Sequence, residues 1–168
     1  MQVLLFSQRA RSRHGRDSCH ARSVPPVDPG LEQIAVTSTP FARTLGARVR
    51  ELDRTRAVLE LHAAEGLRNH LDGPHAAVLF GLAETAAAAV CLSAFEDLVA
   101  HGAVPLVKGA EISYLAVALG RVTATAQLAC EEQGVRDSVA ARGVAVFPVD
   151  VTITDEAGTV TTRCRADM

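Results

Sequence analysis

Asn69-His-Leu-Asp-Gly-Pro-His75-Ala-Ala-Val-Leu-Phe-Gly-Leu-Ala-Glu84-Thr85 is the stretch that decides the fold. It begins as a polar loop ending at Gly73-Pro74 and continues as an apolar segment typical of a long buried helix. Proline is favoured at the first helical position, because its missing N–H would have no partner there. The pattern therefore predicts a helix from about Pro74, with the backbone N–H groups of His75 and Ala76 at its positive end.

Glu84 is the unusual residue of this helix, because its neighbours are almost all apolar. A carboxylate is costly to bury without a partner, and partial burial raises its pKa toward the range useful for a general base. Amides at a helix N-terminus can hold a developing oxyanion. We therefore expect acyl chemistry, with Glu84 as the acid–base group and the Ala76 amide as the oxyanion donor. The alternative is a structural glutamate that is exposed or paired with an arginine.

The spacing of these two groups bears on the oligomer. Ala76 and Glu84 are eight residues apart, which is about 12 Å along a helix at 1.5 Å per residue. A substrate held at one amide cannot also touch the carboxylate of the same chain. A shared site therefore requires two subunits related by a two-fold axis. The residues beside Glu84 are small, which suits either a close partner backbone or plain packing against a sheet.

Asn69 and His75 are the other candidate site residues. The Asn69 amide could orient a water molecule or the substrate carbonyl, and His75 could hydrogen-bond within the loop or to a thioester. A purely structural histidine is the alternative. Asp72 offers a rival account of the helix start, since its carboxylate could cap the helix and occupy the amides assigned to an oxyanion.

Composition excludes several classes of function. The chain has 168 residues and is 48% hydrophobic, as expected of a single domain with its own core. Residues 1–30 carry five Arg and two Asp, a charge of +3. Since the net charge of the chain is −2, the remaining residues carry −5. An acidic body disfavours nucleic-acid binding. No apolar run approaches the ~18 residues of a membrane helix.

The four cysteines lie far apart and form no C-x-x-C pair. We interpret them as reduced thiols of a cytoplasmic protein, with Cys91 in the core. His70 and His75 are five residues apart across a proline, which does not support a two-histidine zinc face. No metal and no cofactor are expected.

The chain predicts an α+β domain preceded by an extension. Residues 1–30 are expected to be a disordered or over-called extension, with an organellar transit peptide as the alternative. The domain covers residues 31–168. Its predicted order is a weak helix (31–46), strands (47–52 and 56–62), a central helix (74–101, broken near Ser93), a strand (106–119), a strand (121–130), a helix or charged loop (131–142) and two strands (147–154 and 160–165). One helix covers only one face of such an antiparallel sheet.

From Asn69 to Glu84 the chain resembles the hotdog-fold acyl-CoA thioesterases, specifically the PaaI-like group and its poorly characterised relatives. Their signature is similar to N-x5-H-G-G-x6-D or E at the start of a long central helix, and here it stands as Asn69, His75, Ala76, Ala77 and Glu84. The resemblance covers roughly residues 37–165. It implies a sheet wrapped around one long helix, and an acyl-CoA substrate.

The resemblance also implies roles. Ala76 would supply the oxyanion-hole N–H with His75 beside it, Glu84 would be the base or nucleophile, and Asn69 would help place the attacking water. These groups would meet across a homodimer, which could assemble further into a homotetramer.

The chain departs from the signature at three places. Alanines replace the Gly-Gly pair, Glu replaces the commoner Asp, and relatives tend to continue slightly beyond the position of Met168. The alanine pair favours the alternative of a non-catalytic module that binds acyl-CoA or merely dimerises. A third alternative is an acyl-CoA hydratase, a related fold with different chemistry that would pair Asp72 with His75.

Overall fold

The computed structural model describes residue 30 and residues 39–168 of the chain. The extension predicted over residues 1–30, residue 30 apart, and residues 31–38 of the first predicted helix lie outside this part. The elements are α1 (Pro40–Leu45), β1 (Arg48–Leu52), β2 (Arg56–His62), a 3-10 turn (Glu65–Leu67), α2 (Ala76–Ala94), α3 (Glu96–Ala100), β3 (Gly109–Tyr114), β4 (Arg121–Leu128), α4 (Glu132–Arg142), β5 (Pro148–Thr154) and β6 (Val160–Asp167).

Helix α1 is short and closed at both ends. Thr39 caps it, since its Oγ1 accepts a hydrogen bond from the Ala42 N–H at 3.1 Å, and Pro40 occupies the first turn. Gly46 ends the helix in the left-handed region at φ 71°, as the sequence predicted. Ala42 and Leu45 are buried, so α1 is fixed against the body of the domain.

The six strands form one antiparallel sheet in the order β1-β2-β4-β5-β6-β3. The turn between β1 and β2 is held by Asp53, whose Oδ1 accepts hydrogen bonds from the backbone N–H groups of Thr55 (2.7 Å) and Arg56 (2.8 Å). The predicted α+β arrangement, an antiparallel sheet wrapped around one long helix, is confirmed.

One face of the sheet packs on α2. Strand β4 shows the reason: Val122, Ala124 and Ala126 are fully buried, whereas the alternating Thr123 and Thr125 are partly exposed. The core is aliphatic and consists largely of alanine, valine and leucine from the helix and the inner face of the sheet. Small side chains let the long helix lie close to the sheet.

Helix α2 ends where the sequence placed a break. Ala94 is its last residue, Phe95 departs from helical geometry, and α3 follows as a separate helix to Ala100. Two guanidinium groups close the end of α2, because Arg54 (3.2 Å) and Arg136 (2.9 Å) both donate to the Ala94 carbonyl. Cations at a helix C-terminus satisfy its free carbonyls and oppose its dipole.

Helix α2 is also more apolar than the sequence suggested. Among the described residues, one helix, Ala76–Ala94, is long and apolar enough to cross a membrane by length and composition, with a mean hydropathy of 1.8. The expectation that no segment approaches this length was wrong, because Glu84 and Thr85 interrupt the apolar run without lowering its average much. Two thirds of the helix is buried inside the domain (67%), as in the core helix of a globular protein.

Strand β3 is shorter than predicted. The sequence indicated a strand over 106–119, but pairing with β6 stops at Tyr114. The N–H groups of Leu115 and Ala116 then both donate to the Thr161 carbonyl, which breaks the regular ladder. Residues 115–119 leave the sheet and pack on the loop before α2, where a side chain at Gly73 would meet the Ala118 oxygen at 2.1 Å.

Candidate active site

The first turn of α2 has one unused backbone donor. The N–H of His75 donates to the Leu67 carbonyl at 2.9 Å, and those of Val78 and Leu79 both donate to the His75 carbonyl. The N–H of Ala77 donates to His75 Nδ1 at 3.1 Å. Within the described part of the chain, the Ala76 N–H has no hydrogen-bond partner. An unpaired amide at the positive end of a helix is suited to binding an anion or an oxyanion.

His75 caps the helix with its side chain, which corrects two expectations. The helix begins at Ala76 with His75 as its N-cap residue, so Pro74 lies before the cap and is not the first helical residue. The His75 N–H is not a free donor, because the loop uses it. Since Nδ1 accepts from Ala77, the ring proton of a neutral His75 lies on Nε2.

Asn69 organises the loop before the helix. Its Oδ1 accepts from the N–H groups of Leu71 (2.8 Å) and Gly73 (3.3 Å), and its Nδ2 donates to the Pro74 carbonyl at 3.3 Å. This single side chain therefore holds the turn that delivers the chain to His75 and Ala76. One of its two amide hydrogens is not used by these bonds.

Asp72 does not cap the helix. Its side chain is largely exposed and forms an ion pair with Arg68 at 2.9 Å, and its backbone adopts φ 62°. The rival account, in which Asp72 occupies the first-turn amides, is wrong. Asp72 pairs with Arg68 and His75 with the Ala77 N–H, so these two side chains do not form the pair that a hydratase would need.

Glu84 lies partly buried on the outer side of α2. No described residue forms a hydrogen bond or ion pair with its carboxylate. Burial raises the pKa of Glu84 above its ordinary value, because removal from water disfavours the charged form. A half-buried carboxyl group without a partner is more typical of a functional site than of a structural one.

Within one chain, Ala76 and Glu84 lie too far apart for one reacting carbon. Both belong to helix α2 and lie about 12 Å apart along its axis by the rise per residue. The structure brings together Asn69, His75 and Ala76 at the start of the helix and leaves Glu84 two turns away.

Two aromatic residues border the site, and the sequence did not indicate a catalytic role for either of them. The Tyr114 hydroxyl donates to the Ala76 carbonyl at 3.0 Å, which ties the end of β3 to the start of α2. The Phe41 ring from α1 lies against Gly81, one turn before Glu84. The available signal was Gly81 itself, because glycine costs about 1 kcal/mol relative to alanine inside a helix and needs a packing reason.

The described part of the chain shows how its metal-ligating side chains and its core thiol Cys91 are placed. Among residue 30 and residues 39–168, no three His, Cys, Asp or Glu side chains form a group that could hold a metal ion. Burial and the nearby Cys130 raise the pKa of the Cys91 thiol to about 12, which keeps it protonated at neutral pH and thus a poor nucleophile.

Comparison with solved structures shows the fold. A protein of unknown function from Pseudomonas aeruginosa, described as a probable thioesterase, superposes with a TM-score of 0.72 at 24% identity over 86% of this chain and 96% of that one. The PaaI protein from the phenylacetic acid degradation operon of E. coli gives a TM-score of 0.59 at 22% identity, covering 76% and 85% of the two chains. A hypothetical thioesterase from Streptococcus pneumoniae, solved with coenzyme A, gives 0.57 at 17% identity, covering 73% and 83%.

These similarities confirm the hotdog fold and the resemblance to the PaaI-like group at the level of fold. A search of curated proteins finds no match. The family model described as "Domain of unknown function (DUF4442)" matches residues 30–168, most of the chain. The chain therefore belongs to the DUF4442 family, and within it has the hotdog fold that proteins described as thioesterases share.

Proposed function

We propose that this protein is an acyl-CoA thioesterase whose active site is formed by two copies of the chain. The unpaired N–H of Ala76 is the observation that carries the proposal, together with the unpaired, half-buried carboxylate of Glu84. These are the two groups that thioester hydrolysis requires: a fixed donor for the oxyanion and a base with a raised pKa. The fold of the solved relatives supports the same reaction class.

The chemistry follows from the two groups. The Glu84 carboxylate takes a proton from a water molecule while the water oxygen attacks the thioester carbonyl carbon. The negative charge that develops on the carbonyl oxygen is held by the Ala76 N–H. The C–S bond then breaks, and the proton on Glu84 passes to the departing sulfur, which yields a carboxylic acid and free coenzyme A. Direct attack by the carboxylate, with a transient anhydride, is the alternative route.

The loop residues position this donor. Asn69 holds the turn before the helix, and its remaining amide hydrogen could orient the attacking water. His75 occupies the Ala77 amide, so the Ala76 amide alone is left for the substrate. Loss of such a donor lowers the rate by about 100- to 1,000-fold in other enzymes.

A second copy of the chain supplies the missing half. Strand β3 lies at the end of the strand order and pairs only with β6 among the described strands, so one edge is open to another strand. Next to it, residues 115–119 expose Leu115 (55%), Val117 (53%) and Leu119 (53%). The Tyr114 contact places this apolar edge against the start of α2. Two-fold pairing here would set the Ala76 of one copy toward the Glu84 of the other.

A binding module without turnover is the second candidate function. Its favouring observation is that Ala76 and Ala77 stand where the resembling signature has two glycines, and their methyl groups narrow the approach to the amide. A binder of this kind would be stabilised by acyl-CoA without releasing coenzyme A.

The test is coenzyme A release over a panel of acyl-CoAs, with the wild-type chain and Glu84→Gln. We expect hydrolysis by the wild type, a rate at least about 100-fold lower in Glu84→Gln, and an unchanged oligomeric mass. Thermal stabilisation by acyl-CoA without release would instead establish the binding module. Full activity of Glu84→Gln would contradict the assignment of the base. We expect the enzyme to be cytoplasmic, as a homodimer or a homotetramer.

A further inference from the structure

The ring of Phe41 is seated directly on the central helix. A Cβ atom built at Gly81 would lie 2.6 Å from Phe41 Cζ and 2.7 Å from Cε1, far inside any ordinary contact. Position 81 must therefore be glycine for the ring to lie where it does. The ring remains 53% exposed, so it covers the helix on one side and faces open space on the other.

The position of Phe41 is fixed by its short helix. Its neighbours Ala42 and Leu45 are buried, and the Thr39 cap and the Gly46 turn close α1 at both ends. Packing and capping thus hold the backbone that carries the ring. The half-exposed ring is therefore fixed in place on this surface.

Gly81, which the Phe41 ring covers, is a helical neighbour of Glu84. Residues three apart on a helix are neighbours, and helical side chains lean toward the N-terminus. The Glu84 side chain therefore extends over the turn that contains Phe80 and Gly81. Phe80, 37% exposed, lies on the other flank of Glu84, about 100° around the helix from Gly81.

By helical spacing, Gly81, which carries the Phe41 ring, and Phe80 lie on the two sides of Glu84, and the methyl groups of Ala77 and Ala88 lie on the same helix face. Among these residues Glu84 carries the charge, and the others offer apolar contact beside its carboxylate. This surface suits the hydrocarbon part of an acyl group whose carbonyl is being attacked.

We propose that Phe41 is a specificity-determining residue: its ring, seated on Gly81, forms the wall that limits the bulk of the acyl group beside Glu84. The inference rests on the proposed function and deepens it. Linear aliphatic acyl groups pass between the two rings, whereas branched, cyclic or aryl groups meet the Phe41 wall. Removal of the wall admits them without touching the reacting groups.

Two variants and one control test the wall. Phe41→Ala removes the ring, and Gly81→Ala pushes it outward, because the added methyl group takes its place while the exposed ring can swing into solvent. Val146→Ala is the matched control, since Val146 is similarly exposed (51%) but precedes β5. Each full-length protein is assayed for hydrolysis of hexanoyl-CoA and benzoyl-CoA, and for binding of the corresponding non-hydrolysable thioethers.

We expect both wall variants to raise kcat/KM for benzoyl-CoA relative to hexanoyl-CoA by about tenfold or more, mainly through KM, which is the scale of one or two methylene groups of pocket space. Val146→Ala should keep the wild-type ratio. An unchanged ratio in the wall variants, or an equal loss on both substrates, would overturn the proposal. Dissociation of the oligomer in Phe41→Ala would also overturn it, because the ring would then be an interface residue.

The binding arm separates this proposal from the proposed function. If no acyl-CoA is hydrolysed but Phe41→Ala still binds the benzoyl thioether about tenfold more tightly relative to the hexanoyl one, the hydrolase assignment fails and the wall stands. If neither hydrolysis nor thioether binding is found, both fail.

Discussion

Substitution of Ala76 by proline removes the proposed oxyanion donor with little other change. Proline lacks a backbone N–H, and Ala76 is the first residue of α2, the helical position that tolerates proline best. The preceding residue, His75, already has extended backbone angles (φ −62°, ψ 149°), which are those that proline requires before it. The donor that is lost has no partner within the described part of the chain, so no hydrogen bond of the fold is broken.

The size of the effect follows from this geometry. We expect kcat for acyl-CoA hydrolysis to fall by about 100- to 1,000-fold, the loss seen when one oxyanion donor is removed. The free energy of unfolding should change by less than about 1 kcal/mol, because proline at a compatible site lowers the entropy of the unfolded chain. Steady-state coenzyme A release and urea unfolding measure the two quantities on the same preparation.

Ala76→Ser is the matched control, because it changes the side chain but keeps the N–H. It should retain activity to within about tenfold, less than the loss of a donor. Wild-type rates in Ala76→Pro, with an intact fold and the same oligomeric mass, would refute the role of this amide.

Three further predictions follow from the same contacts. Glu84→Gln should raise the free energy of unfolding near pH 7 while lowering the hydrolysis rate at least about 100-fold, because the raised pKa of Glu84 means that its charged form destabilises the fold. The stability advantage over the wild type should vanish as the pH falls through that pKa and Glu84 becomes protonated, and the wild-type rate should rise with pH across the same range. His75→Ala should cost about 1 kcal/mol in urea unfolding, because the Ala77 N–H loses its cap. Arg136→Ala should cost about 1–2 kcal/mol, because the guanidinium bonds both Ala94 and Asp97, whereas Arg165→Ala, which removes an exposed pair, should cost less than about 0.5 kcal/mol.

Much of the fold follows from local rules in the sequence. Alternation in strands such as β4 and the glycine stop at Gly46 located their elements to within a few residues. The errors occurred where tertiary contacts decide. Residues 115–119 have the composition of a strand, but the Ala118 carbonyl packs against Gly73 and the segment leaves the sheet. Composition cannot show such a contact between distant segments.

The candidate site, too, was predictable from the sequence only in part. Glu84 could be selected from the sequence because a lone carboxylate among alanines is costly. The helix start could not be placed correctly, because Pro74 by itself suits the first helical position. In the structure the His75 ring accepts from the Ala77 N–H, so His75 is the N-cap residue. The role of Phe41 depends on the contact between α1 and α2. The one sign of this contact in the sequence was a glycine, Gly81, inside a helix.

The proposal of a shared site is tested most directly by mixing two inactive variants. Ala76→Pro and Glu84→Gln are unfolded and refolded together in equal amounts, so that mixed dimers form. Each mixed dimer then contains one site with both groups intact, so we predict recovery of about a quarter of the wild-type activity for random two-fold assembly. Either variant refolded alone should remain inactive. No recovery in the mixture, with mixed dimers shown by mass, would contradict a site built from two chains.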